Sequence, residues 1–156
     1  SLEILTREFA DRSGVEIETF LEPVELDEVS ELTIYRMVQE ALTNIGKYAN
    51  ATKVIVRVKN YTYHAEVTVQ DNGVGFDATR LPQASHGLVG MRHRVEASGG
   101  RLDINSRAGG GGSRITGTIP RAVRKPQSAL AEAVGAMSSD SYKAPPPQTT
   151  AHDAAI

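Results

Sequence analysis

The sequence contains no cysteine among its 156 residues. Without cysteine the chain can form no disulfide, no zinc finger and no thiol-based active site. The four histidines have no metal-ligand spacing, and no serine lies in a nucleophile elbow. The absence of cysteine is compatible with a reducing compartment, and we expect the chain to be cytoplasmic.

Neither sign of charge is in large excess, since 17 basic residues stand against 19 acidic ones and the formal net charge is -2. A nucleic-acid-binding domain would concentrate its basic residues in a stripe, and no such stripe is present. No apolar run approaches the ~18 residues that span a bilayer, and the first residues have no signal-peptide pattern. We therefore expect no nucleic-acid partner and no membrane contact by this chain. Any membrane anchor of the parent protein would lie outside it.

The composition that is present suits a globular domain followed by a tail. Hydrophobic residues make up 40% and charged residues 23%, which are ordinary values for a soluble fold with a real core. Residues 121–156 differ, because they are rich in alanine, serine and proline and contain few large apolar side chains. We predict a folded domain at 1–120 and a mostly disordered tail at 121–156, with at most a weak helix near 127–137.

Hydrophobic periodicity predicts alternating helices and strands within the first 120 residues. Helices are predicted at 2–13, 28–48 and 88–98. Strands are predicted at 15–20, 53–60, 64–71, 101–107 and 113–120. This order predicts an α+β fold, a two-layer α/β sandwich with helices on one face of a mixed, mostly antiparallel sheet.

Four polar residues spaced by four lie in a row beside the apolar stripe of the second predicted helix: Arg36, Glu40, Asn44 and Tyr48. The simplest interpretation is the solvated face of an amphipathic helix. Asn44 argues against it, because asparagine is unfavourable inside a helix unless its side chain is used. An amide oxygen and a carboxylate on adjacent turns can hold a hard cation or orient a water molecule. By itself this signal is weak.

The strand predicted at 64–71 ends in a carboxylate on the same side as its apolar residues, since Asp71 continues the parity of Val69. An ionised carboxylate out of water is costly unless something donates hydrogen bonds to it. Gly73 and Gly75, which follow, would let the backbone turn tightly and let a flat ligand approach closely. The alternative interpretation of Asp-Asn-Gly is a plain turn that closes the strand.

A glycine-bearing loop leads into the third predicted helix, with Gly87 and Gly90 around its start. A helix N-terminus presents unpaired N–H groups and a partial positive charge, and glycines let phosphate oxygens reach them. A flexible linker before a helix is the alternative interpretation. The loop is not a Walker loop, because no Gly-Lys-Ser/Thr follows, and without a preceding parallel strand it is not a Rossmann fingerprint.

Taken in order, these three signals and the Gly112-Ser113 pair before the last strand resemble the GHKL superfamily of ATPases, which has the Bergerat ATP-binding fold. The motif wording is similar to one branch, the sensor histidine kinases of the nitrate/nitrite-sensor and DesK type, whose partners are response regulators of the NarL type. The similar segments are YRMVQEALTN at 35–44, DNGVGF at 71–76 and GLVGMR at 87–92. The resemblance covers about residues 1–120.

The resemblance implies ATP and Mg²⁺ as ligands, with roles for particular residues. Asn44 would coordinate Mg²⁺, and Glu40 would act as the catalytic base or orient the attacking group. Asp71 would accept a hydrogen bond from the adenine amino group, with Ser113 supporting it. The other implied nucleotide-binding residues are Lys47, Tyr48, Gly73, Gly75, Phe76, His86, Gly87, Leu88, Gly90 and Met91, of which His86, Gly87, Leu88 and Gly90 would form the lid and phosphate-binding turn.

The resemblance also implies that the γ-phosphoryl group passes to a histidine on a separate helical hairpin domain and then to a response regulator. No such hairpin is recognisable in this chain, so we do not expect it to autophosphorylate alone. We expect a monomer, because dimerisation in the family belongs to the hairpin. Tyr48 departs from the branch, which often has histidine there. Two alternatives are an anti-sigma-factor-type serine kinase with the same pocket, and a degenerate pocket that serves only protein contacts.

Overall fold

The computed structural model describes residues 1–76 and 86–121, with only the backbone of His86. The helices are α1 (Leu2–Ser13), α2 (Glu28–Asn44) and α3 (His86–Ala97), and a π-helical turn (Ile45–Ala49) continues α2. The strands are β1 (Glu16–Leu21), β2 (Lys53–Asn60), β3 (His64–Asp71), β4 (Arg101–Ser106) and β5 (Ser113–Pro120). The predicted tail beyond residue 121 and its weak helix lie outside the described residues, and the boundary at 120 stays a prediction.

The five strands form one sheet in the order β1-β2-β3-β5-β4. β1 and β2 are parallel, and the other neighbouring pairs are antiparallel. A parallel pair needs a long crossover, and α2 supplies it between β1 and β2. Alternate residues of β2 and β5 are buried in one core with side chains of all three helices. The predicted α+β sandwich with a mixed, mostly antiparallel sheet is therefore confirmed.

The first two helices begin and end at residues whose chemistry favours those points. Gly14 ends α1 in the left-handed conformation, at φ 71°, and its N–H donates to the Ala10 carbonyl. Asp27 caps α2, because its side chain accepts a hydrogen bond from the Ser30 N–H at 2.7 Å. Together with the Ser30 side chain, this N–H holds the pKa of Asp27 below its ordinary value of 3.8.

The second helix differs from the prediction at its C-terminal end. A regular α-helix was expected to continue to Tyr48, but the α-helical turns stop at Asn44 and a π-helical turn covers the next five residues. Gly46 in this turn lies against the Phe9 ring, where a Cβ would come within 3.2 Å of the ring edge. Because a π-helical turn holds more residues than an α-helical one, the regular α-helical spacing ends at Asn44.

The other elements lie at the predicted residues or within one or two of them. β2 and β3 span the predicted 53–60 and 64–71, whereas α3 begins at His86, two residues before the predicted start. No helix among the described residues is long and apolar enough to cross a membrane.

Candidate functional site

A cavity of about 300 Å³ opens between the end of α2, the turn after β3 and the start of β5. Its walls are mostly apolar, which is typical of small-molecule sites that carry a few polar groups for orientation. The lining residues are Ala41, Asn44, Ile45, Tyr48, Ala49, Gly75, Phe76, Leu88, Ser113 and Ile115. We refer to this space as the cavity.

Asp71 lies beside the cavity and is only 5% exposed. Its Oδ1 accepts a hydrogen bond from the Gly73 N–H at 2.8 Å, and the Ser113 hydroxyl donates to its Oδ2. The β3–β5 register places Asp71 directly opposite Ser113. Each carboxylate oxygen therefore has a donor, which offsets the cost of burying the charge.

Asn72 fastens the turn that follows Asp71 to the start of β2. Its Oδ1 accepts hydrogen bonds from the backbone N–H groups of Thr52 at 2.9 Å and Lys53 at 3.0 Å. Its Nδ2 donates to the Thr52 hydroxyl at 2.8 Å. Asn72 was not among the predicted site residues. Its place in an Asp-Asn-Gly turn was the only available signal, since asparagine often bonds nearby backbone in turns.

Gly73 and Gly75 allow three segments of backbone to meet at the cavity. A Cβ on Gly73 would overlap the Ala49 carbonyl oxygen at the end of the π-helical turn. Gly75 has φ +68°, and a Cβ there would overlap the Arg107 carbonyl oxygen in the β4–β5 loop. Only glycine fits at such contacts, and at Gly75 the left-handed backbone adds a second reason.

Asn44 is half-buried at the last residue of α2, and its side chain lines the cavity. Its Nδ2 is buried and has no hydrogen-bond partner within residues 1–76 and 86–121. A buried polar atom without a partner destabilises the fold by about 1–3 kcal/mol. The atom therefore marks a place where a ligand or a bound water would complete the structure.

Glu40 lies one turn before Asn44 on α2 and is half-buried. Its carboxylate packs against Gly87 at the start of α3, where a Cβ would overlap Glu40 Oε1. The structure thus brings the helix N-terminus of the third motif to the acidic residue of the first. Such an N-terminus attracts negative charge, and in this structure it faces the Glu40 carboxylate.

The structure brings together only part of the predicted site. Lys47 is exposed on the π-helical turn, and Met91 is 2% exposed in the core. A Cβ on Gly90 would meet no atom within 4 Å. None of the three is among the residues that line the cavity. The His86 side chain, like the segment 77–85, lies outside the described residues.

Four apolar lining residues were not predicted as site residues. Ala41 and Ile45 were assigned to the core-facing stripe of the second helix, and Ala49 and Ile115 carried no signal. An apolar residue that walls a cavity has the same sequence pattern as one that fills a core, so periodicity does not distinguish them.

The fold and the cavity define a class of protein, an α/β sandwich with a mostly apolar cavity between the end of α2 and the turn after β3. Residues 29–123 match the family described as "Histidine kinase-, DNA gyrase B-, and HSP90-like ATPase". The match covers more than half of the sequence, and the chain belongs to this family.

Curated relatives identify the branch. The chain is 41% identical over 81 residues to the signal transduction histidine-protein kinase/phosphatase DegS of Brevibacillus brevis, covering 52% of this chain and 21% of DegS. It is 31% identical over 140 residues to the sensor histidine kinase MctS of Rhizobium johnstonii, covering 85% of this chain and 30% of MctS. The chain thus spans less than a third of the length of either relative. The predicted resemblance to sensor histidine kinases is confirmed.

Solved structures agree on the fold. The histidine kinase domain of a blue-light activated histidine kinase from Erythrobacter litoralis superposes with a TM-score of 0.62 at 22% identity, covering 75% of this chain and 59% of that one. The mycobacterial sensor histidine kinase MprB gives a TM-score of 0.63 at 22% identity, with 76% and 91% coverage. These two structures show the fold, while the family match and the curated relatives identify an ATP-binding catalytic domain of the histidine-kinase type.

Proposed function

We propose that this domain binds ATP together with Mg²⁺ and donates the γ-phosphoryl group to a histidine on a phosphoacceptor hairpin domain. That histidine would then supply a response regulator. The observation that carries the proposal is the buried carboxylate of Asp71, held by Ser113 and Gly73 beside a mostly apolar cavity.

Asp71 is the group that recognises adenine in this proposal. A carboxylate can accept about four hydrogen bonds, and Asp71 uses one acceptor position on each oxygen within the protein. Acceptor capacity therefore remains for the amino group of the base. Gly75 and Phe76 line the cavity and offer flat contact to the ring, while the adjacent Gly73 keeps the turn close to Ala49.

Asn44 is the residue that would hold Mg²⁺. No cluster of three or more histidine, aspartate or glutamate side chains able to hold a metal ion occurs in the part of the chain that the structure describes. This fits Mg²⁺, which commonly takes one or two protein ligands and otherwise phosphate oxygens and water. Asn44 would bind Mg²⁺ through its side-chain amide oxygen. A 180° rotation of the amide group places this oxygen where the unpartnered Nδ2 now lies. When bound, Mg²⁺ neutralises phosphate charge and favours transfer.

Glu40 is the proposed catalytic base. Its half-buried carboxylate lies one helical turn from Asn44, so it can hold the attacking imidazole in position or take its proton. The N-terminus of α3 and Gly90 would receive the phosphates, since no side chain at Gly90 stands between the backbone and the open space. Lys47 and Tyr48, both exposed on the π-helical turn, complete the proposed nucleotide-binding set.

Thermal unfolding with and without Mg²⁺ and a non-hydrolysable ATP analogue tests the binding step. Ligand at ~100 times its dissociation constant stabilises by about 2.7 kcal/mol, and we expect the midpoint to rise by roughly 10 °C. Asp71→Asn should lose most of this rise. Asp103→Asn, the same change at an exposed residue of β4, should keep it. No rise at millimolar nucleotide for the unmodified chain would contradict the proposal and favour a degenerate pocket.

The transfer step is tested with γ-labelled ATP and a separately purified hairpin domain of a sensor kinase. We expect label on the hairpin that is lost in acid, as phosphohistidine is. Glu40→Gln should reduce the rate by about 10²-fold or more while nucleotide binding persists. Acid-stable label would instead indicate a serine kinase, and binding without transfer to any hairpin would contradict the proposed acceptor.

We further propose that the chain is monomeric and cytoplasmic. The support is the family resemblance, in which dimerisation belongs to the hairpin. A stable dimer in sedimentation at micromolar concentration would contradict the first part.

A further inference from the structure

A second concave surface lies at the other end of α2. It is a groove of about 660 Å³ between the start of α1, the segment after β1 and the first turns of α2. Leu21 and Leu32 are among its apolar residues, and Glu3, Glu22, Glu28 and Glu31 are its acidic ones. We call this surface the acidic groove.

The acidic groove is separate from the cavity, and the two share no lining residue. Glu31 and Asn44 both lie on α2, and the helical rise of about 1.5 Å per residue puts them roughly 20 Å apart. An occupant of the acidic groove would therefore leave the cavity open to nucleotide.

Acidic side chains dominate the charge of the acidic groove. Among the described residues that line it no side chain is basic, and the α-amino group of Ser1 is the one positive group. The two ion pairs of the described residues lie elsewhere, at Lys53–Glu18 and Arg101–Asp103. Glu22 accepts a hydrogen bond from the Asn60 N–H, and the other three carboxylates have no side-chain partner in the same part of the chain. Such a surface repels nucleic acids and anionic membranes and attracts cations.

The apolar part of the acidic groove has an exposed leucine at its edge. Leu32 is 52% exposed, and it lies one helical turn after Glu28 on the same side of α2. An apolar surface beside unpaired carboxylates complements a helix whose leucine stripe is flanked by lysine or arginine. Amphipathic helices of this kind commonly bind in grooves.

We propose that the acidic groove docks a basic amphipathic helix of a separate protein chain. The charge complementarity selects a cationic segment, and the distance from the cavity allows it to bind independently of nucleotide. The inference does not depend on the proposed phosphotransfer, since its residues take no part in nucleotide binding.

A synthetic peptide tests the chemistry of the occupant. The probe is an acetylated, amidated peptide of about 18 residues with leucines at helical spacing and lysines beside them. A matched peptide carries glutamate in place of lysine. We expect only the lysine peptide to shift backbone amide resonances of the acidic groove, with affinity falling about ten-fold between low and high salt.

Two charge-reversal variants locate the site. Glu28→Lys combined with Glu31→Lys should weaken the lysine peptide by about ten-fold or more. Glu8→Lys combined with Asp11→Lys makes the same change of net charge on exposed residues of α1 and should leave the affinity unchanged. Leu32→Ser should also weaken binding. All three variants should keep the unfolding midpoint rise with nucleotide that the unmodified chain shows.

Three outcomes would overturn the proposal. One is equal weakening by both double reversals, which would indicate non-specific attraction. Another is resonance shifts outside the acidic groove. The third is sedimentation showing that a second copy of the chain covers the acidic groove, in which case the Glu28 and Glu31 reversal would change the oligomeric state instead.

Discussion

The cavity at one end of α2 and the acidic groove at the other end are formed by different parts of the chain, backbone in the first and side chains in the second. At the C-terminal end, the cavity is shaped by close backbone approaches at Gly73 and Gly75 and by one buried carboxylate, Asp71. At the N-terminal end, the acidic groove is shaped by side chains, among them Glu28 and Leu32, that contact solvent. We therefore expect substitutions around the cavity to destabilise the fold more than substitutions in the acidic groove, because closely packed backbone leaves less room for a new side chain than an exposed surface does.

The largest expected effect is at Gly75. Replacing it with alanine combines a left-handed backbone with overlap of the Arg107 carbonyl, and we expect a loss of about 3 kcal/mol or more in the free energy of unfolding. Gly109→Ala is the matched control, since Gly109 has φ +88° with no atom within 4 Å of a Cβ. The left-handed backbone conformation alone should lower the free energy of unfolding of Gly109→Ala by about 1–2 kcal/mol. Equal losses in urea denaturation would refute the role given to backbone contact.

Asn72→Ala is expected to have the next largest effect. It removes three hydrogen bonds that hold the turn of Asp71 to Thr52 and Lys53, and because Asn72 is exposed we expect a loss of about 1–2 kcal/mol. Asn72→Asp keeps the hydrogen bonds from the Thr52 and Lys53 N–H groups and should recover much of the lost free energy of unfolding. Asn105→Ala, at an exposed residue of β4, is the control and should be near neutral in the same denaturation assay.

Gly90→Ala should separate stability from ligand binding. A Cβ there meets no atom within 4 Å, and alanine is better than glycine in a helix, so we expect a gain of up to about 1 kcal/mol in unfolding free energy. If phosphates approach this backbone, nucleotide affinity should fall about ten-fold despite the gain. Unchanged affinity by calorimetry would remove Gly90 from the proposed phosphate turn.

The smallest expected effect is at Asp27, which caps the N-terminal end of α2, and it depends on pH. Hydrogen bonds from the Ser30 N–H and side chain lower the pKa of Asp27 below 3.8, so its ionised form stabilises the fold. This contribution is present above the unfolded value and is lost as the pH falls through the lower folded value. Asp27→Asn should lower the thermal midpoint slightly near neutral pH, and the difference should shrink below about pH 4. A difference that grows in acid would contradict this account.

Local sequence patterns predicted those parts of the fold that depend on residues close together in the chain. Alternation placed β2 and β3 at the observed residues, and Gly14 marked the end of α1. The parity of Asp71 predicted its burial beside Val69. The π-helical turn after Asn44 was not predicted, because it involves the contact of Gly46 with Phe9, which lies on another helix.

Short-range periodicity predicted the order of helices and strands along the chain, and motifs with fixed spacing predicted the family. Six of the ten residues that line the cavity were also among the predicted site residues, although their roles stay a prediction. Folding in three dimensions was needed to show that Asn72 bonds Thr52 and that Glu40 contacts Gly87. It also assembled the acidic groove from three separate segments. These contacts join residues far apart in the chain, so they depend on strand register and helix packing, which no local pattern encodes.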